Sequence, residues 1–440
     1  MNRRTRTRTR TRGALAALAA ALLLGACSRP AAPAPPGPAP SAASPLPVSA
    51  PTPQGLLLTA DFGADTVTFV DPERGAVASV TAGRAPYGLA VGTDGRAWVA
   101  TAEGVAVVDT RTRVRLALIP HRTATGPATD GEYRGGGTGI ALSPDGAHAY
   151  VGVNVPGAAG VLEVLDTARS EVTAVVPVGR RPFDVDVSPD GAEVYVTGHD
   201  SFDVTVVAAG SWSPRRIEVA PYGTEGGLGS WLKPHYAVVR PSDGNLLLPF
   251  EGERLAVVDP RTGRTRIEAM TADTHQHGAA ATADGRLLVV GTGAVRPGDG
   301  RGPSLTVRSP DGAERVYPLR GPHEDVAVSR DGRTAYVTGG YTRDGYWNGI
   351  TVVDLDTGAT RRLAAGARPL GGVLPVRPGS RGLAPRLAAL SSVGDAPRRL
   401  PRPPCDPSPR PWRAWGGPMA PDPLPDPARS TRHPLGIAVL

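Results

Sequence analysis

The sequence predicts an all-β fold, a seven-bladed β-propeller of four-stranded antiparallel blades, on three observations. A unit of strand, tight turn, strand, loop and strand recurs along the chain. The turn carries Asp-Gly in copy after copy, preceded by Ser-Pro in two of them. The copies are spaced by roughly 40 to 57 residues, the period of propeller repeats rather than of helical solenoids.

The clearest copy is Arg181 to Ala208. Phe183, Val185 and Val187 alternate with polar residues at the two-residue period of a strand. Ser188-Pro189-Asp190-Gly191 then supplies a fixed φ at Pro and a positive φ at Gly, the needs of a tight turn. Val194-Tyr195-Val196-Thr197 is β-branched and aromatic, Gly198-His199-Asp200 interrupts it, and Val204-Thr205-Val206-Val207 resumes. The turn recurs at Thr93-Asp94-Gly95, Ser143-Pro144-Asp145-Gly146, Ser242-Asp243-Gly244, Ala283-Asp284-Gly285 and Arg330-Asp331-Gly332. Seven copies of the third strand imply seven blades. The first copy begins mid-blade and lacks an inner strand. Pro369-Leu370-Gly371-Gly372-Val373-Leu374 resembles the inner-strand starts of the others, so residues near 370 to 376 are expected to complete the first blade and close the ring.

Tyr195-Val196-Thr197-Gly198, Tyr336-Val337-Thr338-Gly339 and the Ser-Pro-Asp-Gly turns resemble the YVTN family of bacterial β-propellers over residues 55–379, with Gly in place of the family's final Asn. The resemblance implies architecture and is nearly silent about chemistry.

Ahead of the repeats, residues 1–26 read as a lipoprotein signal peptide. Six arginines between Arg3 and Arg12 precede the apolar run Ala14 to Leu24, which is too short for a spanning helix of about 20 residues. Leu24-Gly25-Ala26-Cys27 resembles a lipobox, which implies lipidation at Cys27 and an extracytoplasmic, membrane-anchored protein of the periplasm or cell envelope. Residues 27–54 are rich in Pro and Ala and form the expected tether. Residues 380–440 lose the alternation and are dominated by Pro, Arg and Ala, the composition of a disordered tail.

Charge follows these divisions. The chain carries +7; the first 29 residues hold seven Arg and no acid, and residues 380–440 hold nine Arg against four Asp, which leaves the middle at −5. The basicity lies in the leader and the tail, so the repeats have no electrostatic footprint for nucleic acid. Cys27 and Cys405 lie outside the repeats, which must therefore hold together by packing and not by disulfides. A monomer is expected.

Long loops fall on one face of the predicted ring, the face that carries the second-to-third loops and the starts of the inner strands. There Pro234-His235-Tyr236, His275-Gln276-His277-Gly278 and Pro322-His323-Glu324-Asp325 place histidines in three consecutive blades. Three readings stay open for this funnel. His235, His275, His277 and His323 suit Zn²⁺ or Cu²⁺ with nitrogens at about 2.0–2.1 Å. An unknown small ligand or an envelope protein would instead meet Tyr87, Phe183, Asp184, Trp231, Tyr236 and Asp325. In the third reading the histidines only bond the channel loops. His148 and His199 fall outside the cluster and read as ordinary strand or surface residues.

The Pro-His pairs also resemble those of seven-bladed lactonase propellers. That likeness implies His235, His323, Glu324 and Arg368 as catalytic candidates, with His or Glu as general base. The haem d1 propellers have related repeats, implying a tetrapyrrole at a channel-mouth histidine; the absence of C-x-x-C-H removes only covalent c-type haem. A binding protein is the favoured expectation and a lactone hydrolase the alternative.

Overall fold

The computed structural model describes residues 55–131, 133–219, 233–250, 254–271, 276–293, 302–340 and 347–373, without the side chains of 276, 277, 372 and 373. The leader, the tether, the tail, Trp231, His275 and the side chain of His277 lie outside the described residues. Those residues form seven antiparallel sheets of four strands each, numbered here as blades 1 to 7 in chain order. Blade 4 is representative, with Pro182–Val187 innermost, then Glu193–Gly198, Asp203–Ala208 and Pro214–Glu218.

Burial explains the strand composition. The second strands Leu57–Asp61, Arg96–Ala100, Leu246–Phe250 and Leu287–Gly291 are buried at every residue, because each sheet is covered on both faces by its neighbours. Outer strands such as Pro214–Glu218 bury only an occasional residue. The core is correspondingly divided into layers between blades. Phe69 and Val67 of blade 1 pack on Val99 and Val108 of blade 2, and Leu288 and Leu305 of blade 6 pack on Val337 and Val353 of blade 7. Blades 7 and 1 join through Ile350, Val352, Leu57 and Val70.

The Ser-Pro-Asp-Gly turns close as their residues dictate. In blade 4 the Gly191 N–H bonds Ser188 O at 2.8 Å with Gly191 at φ 73°, and Ser188 Oγ donates to Asp190 Oδ1 at 2.6 Å. The ring closes where the sequence places it. Pro369–Val373 pairs with Leu57–Asp61 in antiparallel register, Ala60 opposite Leu370 and Asp61 opposite Pro369, and supplies the missing inner strand.

Candidate functional site

The inner strands converge so closely that glycine is required where they touch. A Cβ on Gly139 of blade 3 would lie 2.6 Å from Asp184 Cα of blade 4. Larger residues at this level therefore concentrate on a few blades, and the channel is lined asymmetrically. Around the axis lies a cavity of about 300 Å³ to which every blade contributes, from Gly371 of blade 1 and Gly139 of blade 3 to Ala279 of blade 6. Its chemistry comes from Tyr87, Phe183, Tyr236, Asp184, Asp186 and Asp325, and no Lys or Arg is among its lining residues.

The three rings pack edge to face, Phe183 at 5.5 Å from Tyr87 and 5.3 Å from Tyr236. With Phe62, Ala85 and Leu370 they form an apolar cluster of their own. Tyr236 donates to Glu324 Oε1 at 3.1 Å and Tyr87 reaches the same atom at 3.5 Å, so the fully buried Glu324 ties blades 2, 5 and 7 together. Burial, with the nearby Tyr87 and Glu324, pushes the Tyr236 phenol well above its usual range, which keeps it a neutral donor.

Asp184 bridges two blades by accepting the Ala237 N–H at 2.9 Å, and it also accepts the Val185 N–H at 2.9 Å. Burial raises its carboxyl to about 6 against those two bonds. Asp186, two residues along the same strand and so on the same face, is pushed well above the carboxylate range by burial and by the charge of Asp184. Asp325 holds the start of its own strand through the Val326 N–H at 2.8 Å.

The described histidines of the cluster, His235 and His323, turn into different blades. His235 turns toward blade 4, where its Nε2 lies 3.2 Å from Nε2 of His199. His199 Nδ1 bonds Asp200 Oδ1 at 2.7 Å, and Lys233 Nζ donates to the same carboxylate oxygen at 2.8 Å. Burial drives His199 down to about 3. Although burial alone would raise it, Asp200 is held well below the carboxylate range by its bonds from His199 and Lys233. Reading His199 as an ordinary strand or surface residue is therefore corrected. It follows the Tyr-Val-Thr-Gly strand end on the loop-rich face, and that position was the signal available for it.

His323 is fully buried and turns into blade 7, with Nδ1 on Gly321 O and Nε2 on Thr351 Oγ1, both at 2.8 Å. Burial lowers it to about 4. Arg368 has φ 50°, its N–H bonds Asn348 Oδ1 at 3.0 Å, and its side-chain stem lies over Gly63. Among the described residues no three His, Cys, Asp or Glu side chains are grouped to hold a metal ion. The four-histidine reading thus turns on His275 and the His277 side chain, which lie outside the described residues. Of the binding candidates, Tyr87, Phe183, Asp184, Tyr236 and Asp325 all line the axial cavity, and sequence reasoning missed Asp186 beside them.

No protein-family model matches the chain, and no curated protein matches its sequence. Solved structures do match in fold. A functionally unknown protein from Desulfotomaculum acetoxidans superposes with a TM-score of 0.55 at 8% identity, over 74% of this chain and 100% of its own. The periplasmic gluconolactonase PpgL of Pseudomonas aeruginosa does so with a TM-score of 0.53 at 16% identity, over 73% of this chain and 99% of its own. At these identities the likeness establishes the propeller fold and nothing of its chemistry.

Proposed function

We propose that this protein is a lipid-anchored, extracytoplasmic propeller of the YVTN type that binds a small ligand in the axial cavity. The observation that carries the reading is the cavity itself: about 300 Å³, reached from all seven blades, with three aromatic rings and three carboxylates on its wall. That combination of apolar faces and a few placed polar groups is the usual make-up of a small-molecule site, at the small end of the usual size range. The titratable groups of the lining are carboxyls and phenols with no Lys, Arg or His among them, which favours neutral or cationic ligands over anions. The candidate hydrolytic residues support binding better than turnover, since His323 has both ring nitrogens bonded within its own blade and Glu324 is occupied by two tyrosines.

The test is calorimetric titration of the purified protein against small amines, polyols and sugar lactones, beside a variant that fills the cavity, Ala279→Leu. One ligand per chain is expected for the native protein, with at least tenfold weaker binding to the variant, whose cooperative melting is checked beside it because Ala279 also packs on the core between blades 5 and 6. Undiminished binding by Ala279→Leu would remove the axial cavity as the site. Release of a hydroxy acid from a lactone at a catalytic rate would move the protein to the hydrolases.

A further inference from the structure

We infer that the ligand of the axial cavity is an organic ammonium cation, held against Asp186 and faced by the rings of Tyr87, Phe183 and Tyr236. This rests on the axial-site reading and names its ligand class. Three independent observations meet in it.

The first is a buried acceptor without a partner. Asp186 Oδ2 is withdrawn from bulk solvent, and among the described residues no donor reaches it, while the residue lines the cavity. Leaving a buried carboxyl oxygen unbonded is costly, and an N–H donor or a cation supplied from the cavity would remove that cost. Asp184 differs in this respect, because its two oxygens already accept the Ala237 and Val185 N–H groups.

The second is the setting of Asp186. Its counterparts on other inner strands, Ala141 before the blade 3 turn and Ala280 before that of blade 6, are small and apolar, so a charged side chain at this level is not a repeat requirement. Asp184 and Asp186 also stand on one face of one strand, and the charge of the first acts on the second. No cationic side chain among the lining residues offsets the two. A cation beside them would be attracted by the charge of Asp184 and would draw Asp186 toward its ionised form, which burial and Asp184 otherwise disfavour.

The third is the wall. Tyr87, Phe183 and Tyr236 meet at right angles; the Arg134 guanidinium lies 5.8 Å from the Tyr87 centroid, that of Arg181 lies 5.4 Å from the Phe183 centroid and His199 stacks on Phe183, so Tyr236 offers the ring least engaged by the protein's own cations. Ring faces attract alkylammonium groups through their quadrupole and tolerate their methyl groups, unlike the hydration shell that an inorganic ion would have to shed. No described trio of His, Cys, Asp or Glu groups offers such an ion a replacement shell. Aromatic rings beside a carboxylate therefore select an organic ammonium over a bare metal ion.

The experiment titrates the full mature chain with choline, ethylammonium and putrescine, and with 3,3-dimethylbutan-1-ol as the uncharged isostere of choline. At least one ammonium probe is expected to bind one per chain, the neutral isostere at least tenfold more weakly than choline. Asp186→Asn is expected to erase the choline preference while leaving the melting temperature unchanged or higher. Equal binding of choline and its isostere overturns the cation, as does unchanged preference in Asp186→Asn or the failure of every ammonium probe. If polyols or lactones still bind and Ala279→Leu still blocks them, the axial site stands without the cation. If binding of every kind persists in Ala279→Leu, the site reading itself has failed.

Discussion

His199 and His235 meet across the boundary between blades 4 and 5 with their Nε2 atoms 3.2 Å apart. The Asp200 carboxylate fixes a proton on His199 Nδ1, so His199 Nε2 accepts and His235 Nε2 donates. Protonating His199 would place two N–H groups against each other in a buried space, and burial accordingly lowers His199 to about 3. A histidine depressed from about 6.5 contributes stability that is present above that value and is lost as pH falls toward 3, by about 1.4 kcal/mol per pH unit. His199→Gln, which cannot titrate, is expected to flatten the decline in urea-unfolding free energy between pH 6.5 and 4.5 by that slope. An unchanged slope in the variant would show that His199 is free to charge in the native state.

Asp61 carries the opposite sign. It is fully buried and accepts hydroxyl bonds from Thr59 and Thr66 at 2.8 Å and from Thr68 at 2.6 Å, yet burial outweighs them and raises it to about 6. A carboxyl raised from 3.8 keeps its proton longer in the folded state, so stability falls as pH rises from about 4 to about 6, by a total of about 3 kcal/mol. Asp61→Asn keeps an acceptor for the threonines and removes the charge. Its unfolding free energy should therefore lack this fall, and chemical denaturation at pH 4, 5 and 6 checks it. A native protein whose stability rises as steeply as the variant's over that range would refute the assignment.

Much of the fold was legible because its signals are local. The Ser-Pro-Asp-Gly turn and the period of two each lie within one hairpin, and the closing strand repeats the inner-strand pattern in Pro369, Leu370 and Gly371. The channel side chains Tyr87, Phe183, Asp184, Tyr236 and Asp325 were legible for the same reason, since inner-strand starts face the axis in any such ring. What was hidden depends on side-chain direction and on the angle between blades. His323 and Glu324 are adjacent, yet the first turns to Thr351 within its blade and the second to the tyrosines at the axis. The contact of His199 with His235 spans 36 residues and exists only because two blades rotate their loops together. Asp186 looked like an ordinary polar alternate on a strand, and only the convergence of seven strands makes it a wall of a cavity.

The anchor is tested apart from the ring. Because Leu24-Gly25-Ala26-Cys27 reads as a lipobox, Cys27→Ser should abolish acylation and move the protein out of the membrane fraction or stall its leader uncleaved. Intact mass of the mature protein and fractionation of cells check both. Identical membrane association and an identical lipid-sized mass increment in the variant would end the lipoprotein reading.

The closure of the ring gives a sharper test, because one strand decides it. Pro369–Val373 pairs along Leu58 to Asp61, and Leu370 is fully buried in the axial aromatic cluster with Phe62, Tyr87 and Phe183. Without this strand, blade 1 loses its inner neighbour, its second strand becomes an unpaired edge, and the apolar cluster at the channel mouth opens. A chain ending at Ala367 is therefore expected to lose at least 3 kcal/mol, about the cost of one buried leucine truncated in a core, together with the cooperativity of its unfolding. A chain ending at Gly379 retains the strand and should melt within about 2 °C of the full-length protein, since small stability differences shift the midpoint of a domain this size only by a few degrees. Differential scanning calorimetry of the two chains decides the matter. If the shorter one melts cooperatively at the temperature of the longer, the ring closes by some other contact and the pairing of Ala60 with Leu370 carries no stability.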